Sequence, residues 1–128
     1  MDKDSFNQRT SHQKMVTKLT KPGQDILDTL TPEKVNLWHM ATLIAGEAGE
    51  LLDAVKKHVV YNKELDVPNV IEEMGDLEFG LEGARQALQL ARNTILKANE
   101  VKLLTGKKAR YKEGTYTDKQ AQDRADKQ

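Results

Sequence analysis

Apolar residues recur every three or four positions along most of the chain, the period of one face of an α-helix. Residues 5–20 read as a short amphipathic helix carrying Phe6, Met15, Val16 and Leu19, closed by Lys21-Pro22-Gly23. A long helix is predicted from Thr31-Pro32-Glu33. Thr31 is placed to cap the free amides and Pro32 suits the first turn. Its stripe is Leu37, Ala41, Ile44, Ala48, Leu51, Val55 and Val59, so it should end near Val59 or Val60, with a loop over residues 61–67. Pro68 opens a third helix with the stripe Val70, Met74, Leu77, Leu81, Ala84 and Leu88. A break is expected at residues 89–93, with Asn93 or Thr94 as cap. A fourth helix carries Ile95, Leu96, Val101 and Leu103-Leu104 and stops at Gly106.

The pattern predicts an all-α, mainly antiparallel helical bundle in a single domain. Residues 1–30 are its N-terminal helix and loop, 31–106 its core and 107–128 a polar tail. The last dozen residues have little to bury and are expected to be mobile or to lie across a partner subunit. The 128-residue chain gives a thin core. A homodimer or dimer of dimers is therefore expected, and Ile71 and Phe79, off the main stripe, fit such a contact.

Composition narrows the function. Twenty Lys and Arg balance 20 Asp and Glu, so no nucleic-acid partner is expected. The absence of cysteine removes disulfides, thiolate zinc sites and a cysteine nucleophile. No apolar run approaches the ~20 residues that cross a bilayer. The polar opening MDKDSFNQRTSHQK lacks the apolar stretch of a secretory signal, so a cytoplasmic protein with no membrane partner is expected.

The chemistry concentrates in a repeated carboxylate spacing. Glu47 and Glu50 stand three apart on the second helix, Glu73 and Asp76 three apart on the third. Residues three apart are neighbours on one helix face. At about 100° per residue, Glu47 lies at the margin of the apolar stripe, and Glu73 has the same relation to its own. Two facing helices would bring four carboxylates together, where they repel unless neutralised. A hard cation such as Mg²⁺ does this with oxygen ligands. Gly46, Ala48, Gly49 and Gly75 flank the acids, pointing to close helix approach or room for a ligand. The competing reading is a non-enzymatic helical interaction module whose acids are solvated surface charge. A di-iron bundle needs Glu-x-x-His on two helices, and no glutamate here has a histidine three residues later.

The runs AGEAGELLDAVKKHVVYNKELD and IEEMGDLEFGLEGARQA resemble the MazG-like nucleoside triphosphate pyrophosphohydrolases, all-α enzymes with paired Glu-x-x-Glu and Glu-x-x-Asp motifs. The resemblance covers about residues 35–111. Asn99, Lys102 and Leu103 match an Asn-x-x-Lys-Leu element, and Arg110-Tyr111 an Arg-Tyr element after a longer spacer. Gly46 stands where many members carry a further glutamate. The stretch ARYKEGTYTDKQAQDRADK looks most like small, phage-type members.

The resemblance implies Mg²⁺-dependent cleavage (Mn²⁺ as substitute) of a nucleoside triphosphate between the α and β phosphates, giving monophosphate and pyrophosphate. It implies metal binding by Glu47, Glu50, Glu73 and Asp76, with Glu50 activating water, and phosphate or subunit contacts from Lys102, Arg110 and Tyr111. A role in the deoxynucleotide pool is compatible with it; action on dGTP and dATP is one version, beside dUTP, dCTP or broad housecleaning activity, and the residues do not choose among them. Among other candidates, His39 projects to roughly the same side as Glu47 and suits a base or sugar contact, or a plain surface histidine. Trp38 reads as packing or interface. Lys56-Lys57-His58, with Lys57 central, fits a phosphate entrance and equally a solvated helix end. Asn99 alone reads as a cap or surface residue; the resemblance makes it a substrate contact.

Overall fold

The computed structural model describes residues 9–128. They form helices α1 (Ser11–Leu19), α2 (Gly23–Leu27), α3 (Pro32–Val60), α4 (Val67–Leu88), α5 (Arg92–Glu100) and α6 (Asp118–Asp123). A π-helical turn, Val101–Thr105, continues α5, and a 3₁₀ turn, Ala125–Lys127, follows α6. The described residues contain no strand. The chain divides into two compact units, Met1–Val35 and Asn36–Gln128.

In the first unit, Thr10 opens α1 with a capping box. Its hydroxyl accepts from the Gln13 amide at 3.2 Å, and the Gln13 side chain accepts from the Thr10 amide. The helix therefore starts at Ser11; Phe6 and the earlier part of the predicted helix lie outside the described residues. Thr20 turns its hydroxyl back onto the Val16 carbonyl at 2.6 Å, and Pro22 follows. The short α2 was not anticipated. Thr31 caps α3 as the sequence predicts, accepting from the Lys34 amide at 3.2 Å.

The second unit is built on α3 and α4, which run antiparallel. A methyl placed on Gly80 would lie 2.7 Å from Ile44 Cγ1 and 2.8 Å from Leu43 Cδ2, and one on Gly83 would collide with Met40 Sδ. Met40 thus faces Gly83 and Ile44 faces Gly80. These two glycines, lacking a Cβ, let the helices approach closely.

The contact seam differs from both predicted stripes. On α3 the less exposed positions are Leu37, Met40, Leu43, Ile44, Glu47, Leu51, Asp53 and Ala54, whereas Ala41, Ala48 and Val55 are exposed. On α4 they include Val70, Glu73, Leu77, Gly80, Gly83 and Ala84, whereas Met74, Leu81 and Leu88 are exposed. The cause is that both helices are apolar on more than one face, so a regular stripe can be drawn through either. Leu81, Ala84 and Leu88 instead line a cleft of about 210 Å³ shared with Arg92, Ile95 and Leu96.

Local chemistry sets the joints. His58 Nδ1 contacts the Lys63 carbonyl at 2.7 Å beyond the end of α3, and Asn62 takes a left-handed φ of 52°. The Asp66 carboxylate caps α4 from the Asn69 amide at 3.1 Å, with Pro68 in the first turn. The break after α4 falls where expected, but Gln89 makes it in the left-handed region, φ 55°. The cap of α5 is Ala91, without a side-chain bond, and not Asn93 or Thr94.

The polar tail folds back on the chain through polar pairs. Arg110 binds Asp126 through Nε at 2.8 Å and a second nitrogen at 3.2 Å, and Lys108 Nζ donates to the Gln128 carbonyl at 2.9 Å. Polar pairing holds this segment where apolar burial could not, apart from Ala109, which is 1% exposed. Among the described residues, the enclosed apolar side chains are only Ala54 and Ala109. Ile71 and Phe79 stand out at 64% and 67% exposure, as their off-stripe positions predict. No helix among the described residues is long and apolar enough to cross a membrane.

Candidate metal centre

The α3–α4 seam becomes acidic one turn beyond its glycines. Glu47 follows Ile44 by three residues, and Asp76 and Glu73 precede Gly80 by four and seven. In an antiparallel pair these positions come level. One carboxylate oxygen from each of Glu47, Glu73 and Asp76 lies within 4.8 Å of the other two. Glu47 and Glu73 are half-buried and Asp76 is exposed. Glu47 therefore stands within the packed seam, between Ile44 and Leu51, and not at its margin.

Such an arrangement is costly to a lone protein. Burial, first, raises the Glu73 pKa above its usual carboxylate value. A hydrogen-bonded contact with the Glu47 carboxyl raises it further, as does repulsion from Glu47, Asp76 and Glu50. Glu73 Oε2 is buried without a hydrogen-bond partner. A buried carboxylate oxygen with no donor is a rare condition in folded proteins and calls for an explanation. Three convergent carboxylates, one of which carries the orphaned oxygen, suit a hard divalent cation, which supplies the missing positive charge.

Glu50 lies outside the three-oxygen cluster. Three residues along α3 it has rotated about 60° from Glu47, and it is exposed. Its charge still reaches Glu73. The flanking glycines do not serve helix approach within the chain: a Cβ on Gly46, Gly49 or Gly75 would meet nothing within 4 Å. They stand on open helix surface.

The remaining candidates are spread along the unit. His39 sits two turns before Glu47, about 12 Å along the axis. It lines a shallow depression with Asn36, Met40, Gly83, Gln86 and Ala87. Lys57 pairs with Asp53 at 3.1 Å, an exposed helix-surface contact. Asn99 is exposed on α5, and Lys102 is exposed in the π-helical turn. The longer spacer before Arg110 is a closed turn. The Arg110 amide donates to the Lys102 carbonyl at 3.0 Å and the Tyr111 amide to the Leu103 carbonyl at 2.9 Å. Gly106 is required there, because a Cβ would lie 2.6 Å from the Val101 carbonyl oxygen. The Tyr111 ring lies 5.8 Å from that of Tyr116. Tyr116 and Asp126 were not singled out in the sequence, and nothing in local spacing marks them.

No protein-family model, curated protein or solved structure matches the chain.

Proposed function

We propose that the protein is a Mg²⁺-dependent nucleotide pyrophosphohydrolase of the MazG-like kind, cleaving a nucleoside triphosphate to monophosphate and pyrophosphate. The observation that carries this reading is the convergence of one oxygen each from Glu47, Glu73 and Asp76 to within 4.8 Å, with a Glu73 oxygen buried and unpartnered. The paired motif on which the family resemblance rests supports it, since the same three residues belong to that motif.

In this reading Glu47, Glu73 and Asp76 hold the metal, and Mn²⁺ can replace Mg²⁺. A bound divalent ion neutralises phosphate charge and makes water more acidic. Glu50, exposed beside the cluster, orients the attacking water and takes its proton. Water oxygen bonds to the α phosphorus as the bond to the bridging oxygen breaks, and pyrophosphate leaves. Lys102 supplies a point charge to the phosphates, and Lys57 widens that field at the end of α3. His39 and Asn99 are the proposed contacts to base and sugar, and Tyr111 to phosphate or a neighbouring subunit.

The working form is a homo-oligomer. On α3, Trp38, Ala45, Gly49, Leu52 and Val59 share the face opposite the α4 seam, and Trp38, Leu52 and Val59 are 70%, 68% and 70% exposed. A helix apolar on opposite sides is normally covered on both, and a second copy is the proposed cover. The substrate belongs to the deoxynucleotide pool, with dGTP and dATP as the specific version.

Pyrophosphate release from each of eight natural nucleotides with Mg²⁺ tests the reading. Turnover that disappears in Glu73→Gln supports it. A preference for pyrimidines removes the dGTP and dATP version. No pyrophosphate from any nucleotide removes the enzyme reading and leaves a non-enzymatic helical module.

A further inference from the structure

Arg110 invites assignment as a phosphate ligand, yet its guanidinium is already committed. Two of its nitrogens bond Asp126, whose side chain is 3% exposed while that of Arg110 is 19% exposed, and the Tyr111 side chain is a further partner. Three further ties hold the same region. Lys108 Nζ reaches the Gln128 carbonyl at 2.9 Å, and the Gln128 amide group reaches the Asp123 carbonyl at 2.7 Å. Ala109, between the two cations, is 1% exposed.

Upstream, the backbone of Arg110 and Tyr111 bonds the carbonyls of Lys102 and Leu103. The π-helical turn ends its helix, and the last carbonyls of a helix have no partner within it. Here residues 110 and 111 occupy them. The tail therefore grips Arg110, and the Arg110 segment grips the turn that bears Lys102.

We propose that residues 118–128 form a clasp that fixes the Lys102 turn, and that Arg110 is a positioning residue of this clasp and not a phosphate ligand. Bidentate guanidinium–carboxylate geometry suits this task, because it fixes direction as well as distance. The kinetic part of the proposal rests on the pyrophosphohydrolase reading; the structural part does not.

The test compares Asp126→Asn with Arg110→Gln in the full chain, by amide hydrogen exchange and by steady-state kinetics. Asp126→Asn is the milder change, because a released Arg110 can turn to water whereas a released Asp126 stays enclosed. The clasp predicts that Asp126→Asn speeds exchange of the Arg110 and Tyr111 amides at least about tenfold, with α3 and α4 unaffected. Unchanged exchange overturns it. In kinetics, a positioning role predicts that both variants alter kcat and KM in parallel, with Asp126→Glu partly restoring both. A rise in KM confined to Arg110→Gln makes Arg110 a phosphate ligand and overturns its assignment. If the wild-type protein releases no pyrophosphate, the pyrophosphohydrolase reading fails, and exchange alone decides the clasp.

Discussion

Gly80 offers a quantitative test of the α3–α4 seam. In Gly80→Ala the added methyl lies 2.7 Å from Ile44 Cγ1 and 2.8 Å from Leu43 Cδ2. Carbon atoms settle at about 3.5–4.0 Å, so roughly 1 Å of movement is required. Ile44 Cγ1 is bonded directly to Cβ and cannot swing aside alone, and the Ile44 amide nitrogen is only 3.6 Å from the new methyl. Overpacking of this kind costs about 1–3 kcal/mol. Alanine in place of a mid-helix glycine returns about 1 kcal/mol. The net expectation runs from neutral to about 2 kcal/mol of destabilisation. Gly46→Ala is the control, since its methyl meets nothing within 4 Å. It should gain about 1 kcal/mol, so the two variants differ by the overpacking cost, about 1–3 kcal/mol. Urea unfolding followed by circular dichroism measures both, at one protein concentration because an oligomer's midpoint depends on it. Equal stabilisation by both alanines would refute the close approach of the helices at Gly80.

Glu73→Gln removes one charge from the crowded cluster and should raise the metal-free protein's thermal midpoint near neutral pH. The wild-type protein should likewise lose stability as pH rises from the ordinary carboxylate range through the raised Glu73 pKa. The folded state binds more protons than the unfolded one across that window, and thermal scans with and without Mg²⁺ would show the loss shrinking when metal is present. Asp126 behaves oppositely. Its hydrogen-bonded Arg110 partner holds its pKa at about 2, so its contribution is complete above the ordinary aspartate value and is lost as pH falls towards 2. Asp126→Asn should flatten that acid limb in circular-dichroism titrations. Leu52→Glu places a charge on the exposed apolar face of α3 and should shift sedimentation towards the monomer; an unchanged sedimentation coefficient would remove that face from the proposed contact.

What the sequence made legible was local. Thr31 and Pro68 follow from cap chemistry and helix stereochemistry, which act within a turn, and the end of α3 near Val60 from where the apolar positions run out. The acid pairs were legible because three-residue spacing puts both members on neighbouring positions of a helix. Their membership was less so: Glu50 is turned away from the seam, and Glu47 is more deeply set in it than the drawn stripe suggested. That stripe failed because α3 and α4 carry apolar residues on several faces, so periodicity alone cannot choose the one that meets a neighbour. The glycines show the same limit. Gly80 and Gly83 make the close approach, yet Gly46, Gly49 and Gly75 look no different in sequence. The tail's fold was illegible because its main tie joins Arg110 to Asp126, 16 residues on, with no periodic signal between them.

Isothermal titration of Mn²⁺ into the wild-type protein and into Glu47→Gln, Glu73→Gln and Asp76→Asn tests the central claim most directly. Convergent carboxylates predict saturable binding in the wild type, weakened at least about tenfold by each substitution, as loss of a charged ligand requires. Wild-type affinity retained in all three variants would contradict a metal centre on the α3–α4 seam.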